Sequence, residues 1–208
     1  MATDISGYEY TAPERCCAHA YLLPAIDRVL RDFKIPSSTV FDLGCGNGSF
    51  AHWLSGKGFE VHGVDPSTQG IAIAHQSHPT IDLRVGSCYD PLHESFGTFP
   101  LVTSLEVVEH VYAPRDYARC VHSLLQPGGK ALISTPYHGY LKNLALAVCD
   151  KMDDHFSPLW DHGHIKFWSP RTLTRLLEET GLKVLRIDRV GRIPPLAKTM
   201  LVVAERPR

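Results

Sequence analysis

No stretch of this chain approaches the roughly 20 consecutive apolar residues that a membrane-spanning helix needs. No excess of one charge is present either: the formal net charge is −1 over 208 residues, which removes the usual attraction for a polyanion or a charged membrane. The first residues, Met1-Ala2-Thr3-Asp4, lack the basic-then-apolar layout of a secretory signal. None of Cys16, Cys17, Cys45, Cys88, Cys120 and Cys149 forms a C-x-x-C pair, and several lie in apolar patterns, so reduced thiols in a cytoplasmic protein are the expectation. Repeats, low-complexity tracts and linkers are missing too. A chain of this length without an internal boundary predicts one domain, residues 1–208, with a substantial core. With no basic stripe and no appended nucleic-acid module, a small molecule is the expected partner and nucleic acid is not. No feature sets the oligomeric state.

What is present is an alternation of helix and strand patterns, which predicts an α/β doubly wound sheet. Residues 1–36 form an N-terminal helical segment in which Tyr21, Leu22, Ala25, Ile26, Val29 and Leu30 recur at helical spacing, ending before Pro36. Strands are expected at about 39–43, 60–64, 82–85, 101–105, 130–135, 182–188 and 200–204. Helices are expected after Gly46, from Ser67, from Pro114, over the Leu141–Val148 piece and from Pro170, where Ser169-Pro170 supplies a cap and a first-turn proline. Residues 137–167, after the fifth strand, read as an insertion that covers the substrate.

The most informative stretch is Asp42-Leu43-Gly44-Cys45-Gly46-Asn47-Gly48. A short apolar strand runs into three alternating glycines, which let the backbone turn sharply and approach a ligand. A helix follows whose first N–H groups point back at the loop. The next strand ends in Asp65, 21 residues beyond Gly44 and well placed to accept from both hydroxyls of a ribose. The order D-x-G-x-G-x-G differs from the dinucleotide fingerprint G-x-G-x-x-G. Asp42 would repel a pyrophosphate and attract an ammonium.

On these residues the chain resembles the class I S-adenosylmethionine-dependent methyltransferases over nearly its whole length. Glu106-Val107-Val108-Glu109-His110 resembles the corresponding string of the ubiquinone-biosynthesis O-methyltransferases. The resemblance implies a mostly parallel seven-stranded sheet whose last two strands form an antiparallel hairpin at the edge. It implies S-adenosylmethionine as cofactor, held by Asp42, Gly44, Cys45 and Gly46 at the methionyl end and Asp65 at the ribose. Pro66 and Ser67 would line the adenine, with Leu105 and Glu106 beside them. Relatives usually carry an acid for the adenine amino group where this chain has Ser87; Ser87, Cys88, a backbone carbonyl, Tyr89 or Asp90 then serves instead.

If residues 105–110 turn helical, Glu106 and His110 share a face at i,i+4. Two readings follow: a divalent-metal site, as the relatives imply, or His110 as a general base oriented by Glu109. One of His155, His162 and His164 would complete either arrangement, with His164 preferred. Trp160, Phe167, Trp168, Tyr137, His138 and Tyr140 would line the acceptor pocket. The metal-free base is favoured, because the sequence places no second histidine beside His110. The expected activity is O-methylation of a small hydroxylated acceptor. N- or C-methylation is one alternative, and a catalytically silent cofactor-binding partner subunit is another.

Overall fold

The computed structural model describes residues 19–35, 38–161 and 163–208. Cys16, Cys17, Pro36 and His162 lie outside the described residues. In chain order the elements are α1 (His19–Asp32), β1 (Thr39–Leu43), α2 (Ser49–Ser55), β2 (Glu60–Asp65), α3 (Thr68–Ser77), β3 (Asp82–Val85), α4 (Leu92–Phe96), β4 (Phe99–Leu105), α5 (Pro114–Leu124), β5 (Leu125–Pro136), α6 (Tyr140–Val148), α7 (Met152–Phe156), α8 (Pro170–Glu179), β6 (Lys183–Val190) and β7 (Thr199–Glu205), with a 3₁₀ turn at Pro194–Leu196.

The sheet has seven strands in the order β3-β2-β1-β4-β5-β7-β6. β1 to β5 pair in parallel, and β7 runs antiparallel to both β5 and β6. Alternation along each strand divides the core between two faces. Phe41, Val102, Ile133 and Val202 point to the side covered by α5 and α8 through Tyr117, Leu124, Leu173 and Leu177. Val40, Leu101, Leu132 and Leu201 point to the side covered by α1, α2 and α3 through Leu22, Ile26, Leu54 and Ala74. This is the doubly wound arrangement expected from the sequence. The order in which strands are added reverses between β1 and β4, so their carboxyl ends frame the crevice where such sheets take ligands.

Local chemistry explains most boundaries. Ser67 caps α3 by accepting from Gly70 N–H at 3.0 Å. Ser169 and Thr172 form a capping box at the start of α8, with Pro170 in its first turn. Three details differ from the sequence expectation. β5 begins at Leu125, because Gln126-Pro127-Gly128-Gly129 loops out within the strand: Leu125 pairs with Phe99 and Lys130 already with Leu101. A short helix, α4, packs Leu92 into the core where no helix was expected. Helix α6 forms as expected but faces the opposite way. Leu141, Leu144 and Val148 are exposed and Lys142 is buried.

Candidate active site

The glycine loop joins β1 to α2. Gly44, Gly46 and Gly48 all have positive φ, of 84°, 54° and 77°, a region that L-residues with a Cβ enter at a cost of about 1–2 kcal/mol each. Gly44 and Cys45 both donate to the Val64 carbonyl, at 2.8 and 3.0 Å, which folds the loop against the end of β2. A Cβ on Gly44 would lie 2.3 Å from Cγ2 of Val107, so the turn after β4 lies directly over the loop. Cys45 is buried in the core beside it.

Two carboxylates anchor this crevice. Asp65 accepts from Gly46 N–H at 2.9 Å with Oδ2 and from Ser67 N–H at 2.8 Å with Oδ1. It thereby ties the loop to the start of α3. Asp42, 1% exposed, accepts from Thr103 Oγ1 at 2.7 Å with Oδ1, while its Oδ2 is buried with no hydrogen-bond partner among the described residues. Burial drives its pKa up to about 7, against the Thr103 hydrogen bond and with the help of the Asp65 charge. An orphaned buried carboxylate oxygen beside a folded-back glycine loop fits a ligand that brings an ammonium. Pro66 is half-buried, and the Ser67 side chain is fully buried in its capping role.

At the end of β3, Asp90 engages Ser87: its Oδ2 accepts from Ser87 N–H at 2.7 Å. Cys88 packs in the core beneath, and desolvation pushes its thiol up to about 12. Tyr89 places its hydroxyl 3.1 Å from Ala113 N–H, as acceptor.

The segment 105–110 is a turn, not a helix, so the i,i+4 expectation for Glu106 and His110 fails. His110 N–H closes the turn on the Val107 carbonyl at 2.9 Å. Leu105, half-buried, ends β4, and Glu106 then adopts φ = 56°. Its backbone N–H donates to Ser134, and the Ser134 hydroxyl donates back to Oε1 at 2.7 Å. Strained non-glycine residues persist where neighbours over-determine them, often at functional sites. Desolvation raises the Glu106 carboxyl to about 7.

This turn nevertheless gathers the side chains that the sequence singled out. Glu109 is 1% exposed and both its carboxylate oxygens lack a hydrogen-bond partner among the described residues. Desolvation, reinforced by the neighbouring Glu106 charge, pushes its pKa well above the usual carboxylate range. The Glu109 carbonyl accepts from both Ile165 N–H and Lys166 N–H at 2.9 Å, and Trp168 Nε1 donates to the Val108 carbonyl at 3.1 Å. These bonds bring His164 to the turn. Its ring centroid is 4.8 Å from that of His110, and Trp160 borders both imidazoles. Desolvation, then the His110 charge, lowers His164 to about 4, leaving it neutral near pH 7. One ligand atom from each of Glu109, His110 and His164 can be chosen so that all lie within 4.8 Å of one another.

The remaining predicted residues divide. His155 joins His138, 5.4 Å away between ring centroids, rather than the His110 cluster. Tyr137 is buried and Tyr140 is 79% exposed. Lys142 was not singled out from the sequence. The only signal was a lysine inside an apolar helix pattern, which ordinarily means a solvent face.

The profile of the methyltransferase-domain family matches residues 10–187, and the chain belongs to that family. It is similar to the ubiquinone biosynthesis O-methyltransferase of Chromobacterium violaceum, 28% identical over 173 residues that cover 81% of this chain and 75% of that protein. It is similar also to the mitochondrial ubiquinone biosynthesis O-methyltransferase of Rattus norvegicus, 34% identical over 152 residues, 70% of this chain and 44% of that protein. In fold it matches an S-adenosylmethionine-dependent methyltransferase from Mesorhizobium loti with a TM-score of 0.67 at 21% identity, covering 86% of this chain and 96% of that one. The chain is an S-adenosylmethionine-dependent methyltransferase.

Proposed function

We propose that this methyltransferase transfers the methyl group to a hydroxyl oxygen of a small acceptor bound between the turn after β4 and the segment 137–167. The observation that carries this reading is the Glu109–His110–His164 cluster beside the glycine loop. The name of the C. violaceum relative supports the choice of oxygen. When bound, S-adenosylmethionine supplies a methyl group already activated on a sulfonium. The protein then has to hold the acceptor in line, keep water out and take a proton. Alignment alone is worth about 7–11 kcal/mol of barrier, and removal of the hydroxyl proton adds about 10²–10⁴-fold in rate.

Asp42 would hold the cofactor's ammonium and Asp65 its ribose diol, with backbone contacts from Gly44, Cys45 and Gly46. Pro66, Ser67, Ser87, Cys88, Leu105 and Glu106 would border the nucleoside. The His110 imidazole would accept the acceptor's hydroxyl proton, while His164, neutral near pH 7, would orient it with Glu109. Trp160 and the rest of segment 137–167 would exclude water.

A second reading has a specific observation in its favour. Glu109 is a buried carboxylate, beside two imidazoles, whose oxygens accept no hydrogen bond among the described residues, and such a group is either protonated or compensated by a cation. Glu109, His110 and His164 would hold a divalent ion, and mixed nitrogen and oxygen donors suit Mn²⁺ or Zn²⁺ better than Mg²⁺. The ion would supply Lewis acidity that favours the deprotonated hydroxyl. Chelation separates the two readings. Turnover unaffected by chelator supports His110 alone; turnover abolished by chelator and restored by Mn²⁺ or Zn²⁺, with cofactor affinity unchanged, supports the ion.

A further inference from the structure

Ser134 lies near the end of β5, paired with Leu105 on β4 and with Leu201 on β7, and it is fully buried. The strand before it, Ala131-Leu132-Ile133, is apolar core, and a hydroxyl in such surroundings is costly unless it is hydrogen-bonded. This one bonds Glu106 twice: it accepts from Glu106 N–H at 3.1 Å and donates to Glu106 Oε1 at 2.7 Å. The Ser134 carbonyl accepts the same N–H at 3.0 Å. One serine therefore grips the main chain and the side chain of Glu106 together.

Glu106 is gripped in a conformation that it would otherwise leave. Its φ of 56° is left-handed, where Cβ crowds the backbone. Lys34, Asp150 and Ser157, the other described non-glycine residues with positive φ, follow α1, α6 and α7, where a left-handed residue commonly closes a helix. Glu106 instead follows a strand. The turn beyond it is tied down at its far end: Trp168 Nε1 donates to the Val108 carbonyl, and Ile165 and Lys166 donate to the Glu109 carbonyl. Between the two ties, Val107 rests over Gly44 and His110 N–H closes on the Val107 carbonyl at 2.9 Å. A change of φ at Glu106 swings everything between them.

We propose that Ser134 is a positioning residue for methyl transfer: by locking Glu106 in the left-handed conformation, it sets the turn that presents Glu109 and His110 to the acceptor. The catalytic consequence rests on the O-methylation reading at His110; the lock itself does not. Without the hydroxyl, Glu106 relaxes towards negative φ, Val107 leaves the glycine loop and His110 moves away from His164. Asp42 and Asp65, the anchors proposed for the cofactor, keep their own bonds to Thr103, Gly46 and Ser67.

The test uses Ser134→Ala, Glu106→Gly and the double variant. Ser123→Ala, whose hydroxyl bonds the Cys120 carbonyl in α5, is the control and should behave as wild type. Amide hydrogen exchange read by NMR follows His110 N–H, and transfer of a labelled methyl group from S-adenosylmethionine to catechol gives kcat and KM. In Ser134→Ala the His110 amide should exchange about 10–100-fold faster, the range for losing one neutral and one charge-assisted hydrogen bond, while the amides of β5 stay protected. Its kcat should fall about tenfold or more, and its KM for S-adenosylmethionine should change less than about threefold. Glycine takes positive φ freely. Glu106→Gly added to Ser134→Ala should therefore slow the exchange again and recover part of the lost kcat, which neither general destabilisation nor loss of a carboxylate would do. Ser134→Cys, close in shape but a weak hydrogen-bonder, replaces the alanine variant if that one does not fold. Unchanged exchange in Ser134→Ala, or a double variant that exchanges no more slowly than Ser134→Ala, overturns the lock. Exchange needs no acceptor, so it decides the lock even if catechol is inert. Faster exchange with glycine rescue but an unchanged kcat keeps the lock and removes His110 from the chemistry, which overturns the O-methylation reading instead.

Discussion

His164 Nε2 lies 4.0 Å from Oε1 of Glu109. The two residues are 55 positions apart in the chain. They meet because the Glu109 carbonyl accepts from Ile165 and Lys166. That contact joins the segment after β5 to the turn after β4, and it places an imidazole against a buried carboxylate. His110→Ala and Glu109→Gln should therefore each lower turnover by about 10²-fold or more while changing S-adenosylmethionine affinity less than threefold. Steady-state kinetics with parallel calorimetry checks this. Loss of cofactor affinity in step with activity would show that these residues only shape the cofactor site.

With Asp42 at the cofactor's ammonium, as proposed, cofactor binding should depend on pH. Its carboxyl titrates at about 7 in the free protein, and only the ionised form attracts an ammonium. S-adenosylmethionine affinity should rise by about tenfold between pH 6 and pH 8 and then level off. Asp42→Asn should bind weakly and without that slope. The stability effect has the opposite sign. A carboxyl whose folded pKa is raised above its unfolded value loses stability as pH rises from the unfolded value of 3.8 towards 7. Asp42→Asn should therefore be the more stable protein at pH 8, as read by denaturant midpoint.

Asp65→Ala should weaken cofactor binding more than Asp90→Ala. Asp65 holds Gly46 N–H and Ser67 N–H from a buried position, and charged hydrogen bonds of this kind contribute about 1.5–3 kcal/mol each. Asp90 organises only an exposed loop at Ser87. Calorimetric titrations that superimpose for the two variants would remove Asp65 from the ribose role.

Much of this was legible in the sequence because it is encoded locally. Ser67 and Ser169-Pro170 announce helix starts, and the strand at Asp82–Val85 is bounded by its own pattern. Alternate glycines after an apolar strand identify the loop. The conformation at Glu106–His110 was left open by the sequence, because Glu-x-x-Glu-His also fits helical spacing, whereas Ser134, 28 residues on, holds Glu106 in a left-handed conformation. The orientation of α6 was illegible for the same reason. Its hydrophobic pattern points one way, and contacts with Tyr137 and the Pro194–Leu196 turn fix it the other way.

Two glycines with similar φ separate steric fit from backbone strain. Gly97 has φ = 79° and open space where a Cβ would go, while Gly44 has φ = 84° and would meet Val107 at 2.3 Å. Gly97→Ala should cost about 1 kcal/mol of stability and leave cofactor affinity intact. Gly44→Ala should cost more and displace the turn that carries Glu109 and His110. Thermal melts and cofactor titrations of both variants provide the check; equal losses would mean that Val107 does not rest on the loop.

Transfer of a labelled methyl group from S-adenosylmethionine to hydroxylated acceptors, followed by locating the label in the product, compares wild type directly with His110→Ala. The wild-type product should carry the label as a methyl ether on oxygen, and His110→Ala should bind the cofactor normally but form at least about 10²-fold less product per unit time. Label found on nitrogen or carbon, or full activity of His110→Ala, would contradict O-methylation at the Glu109–His110–His164 cluster.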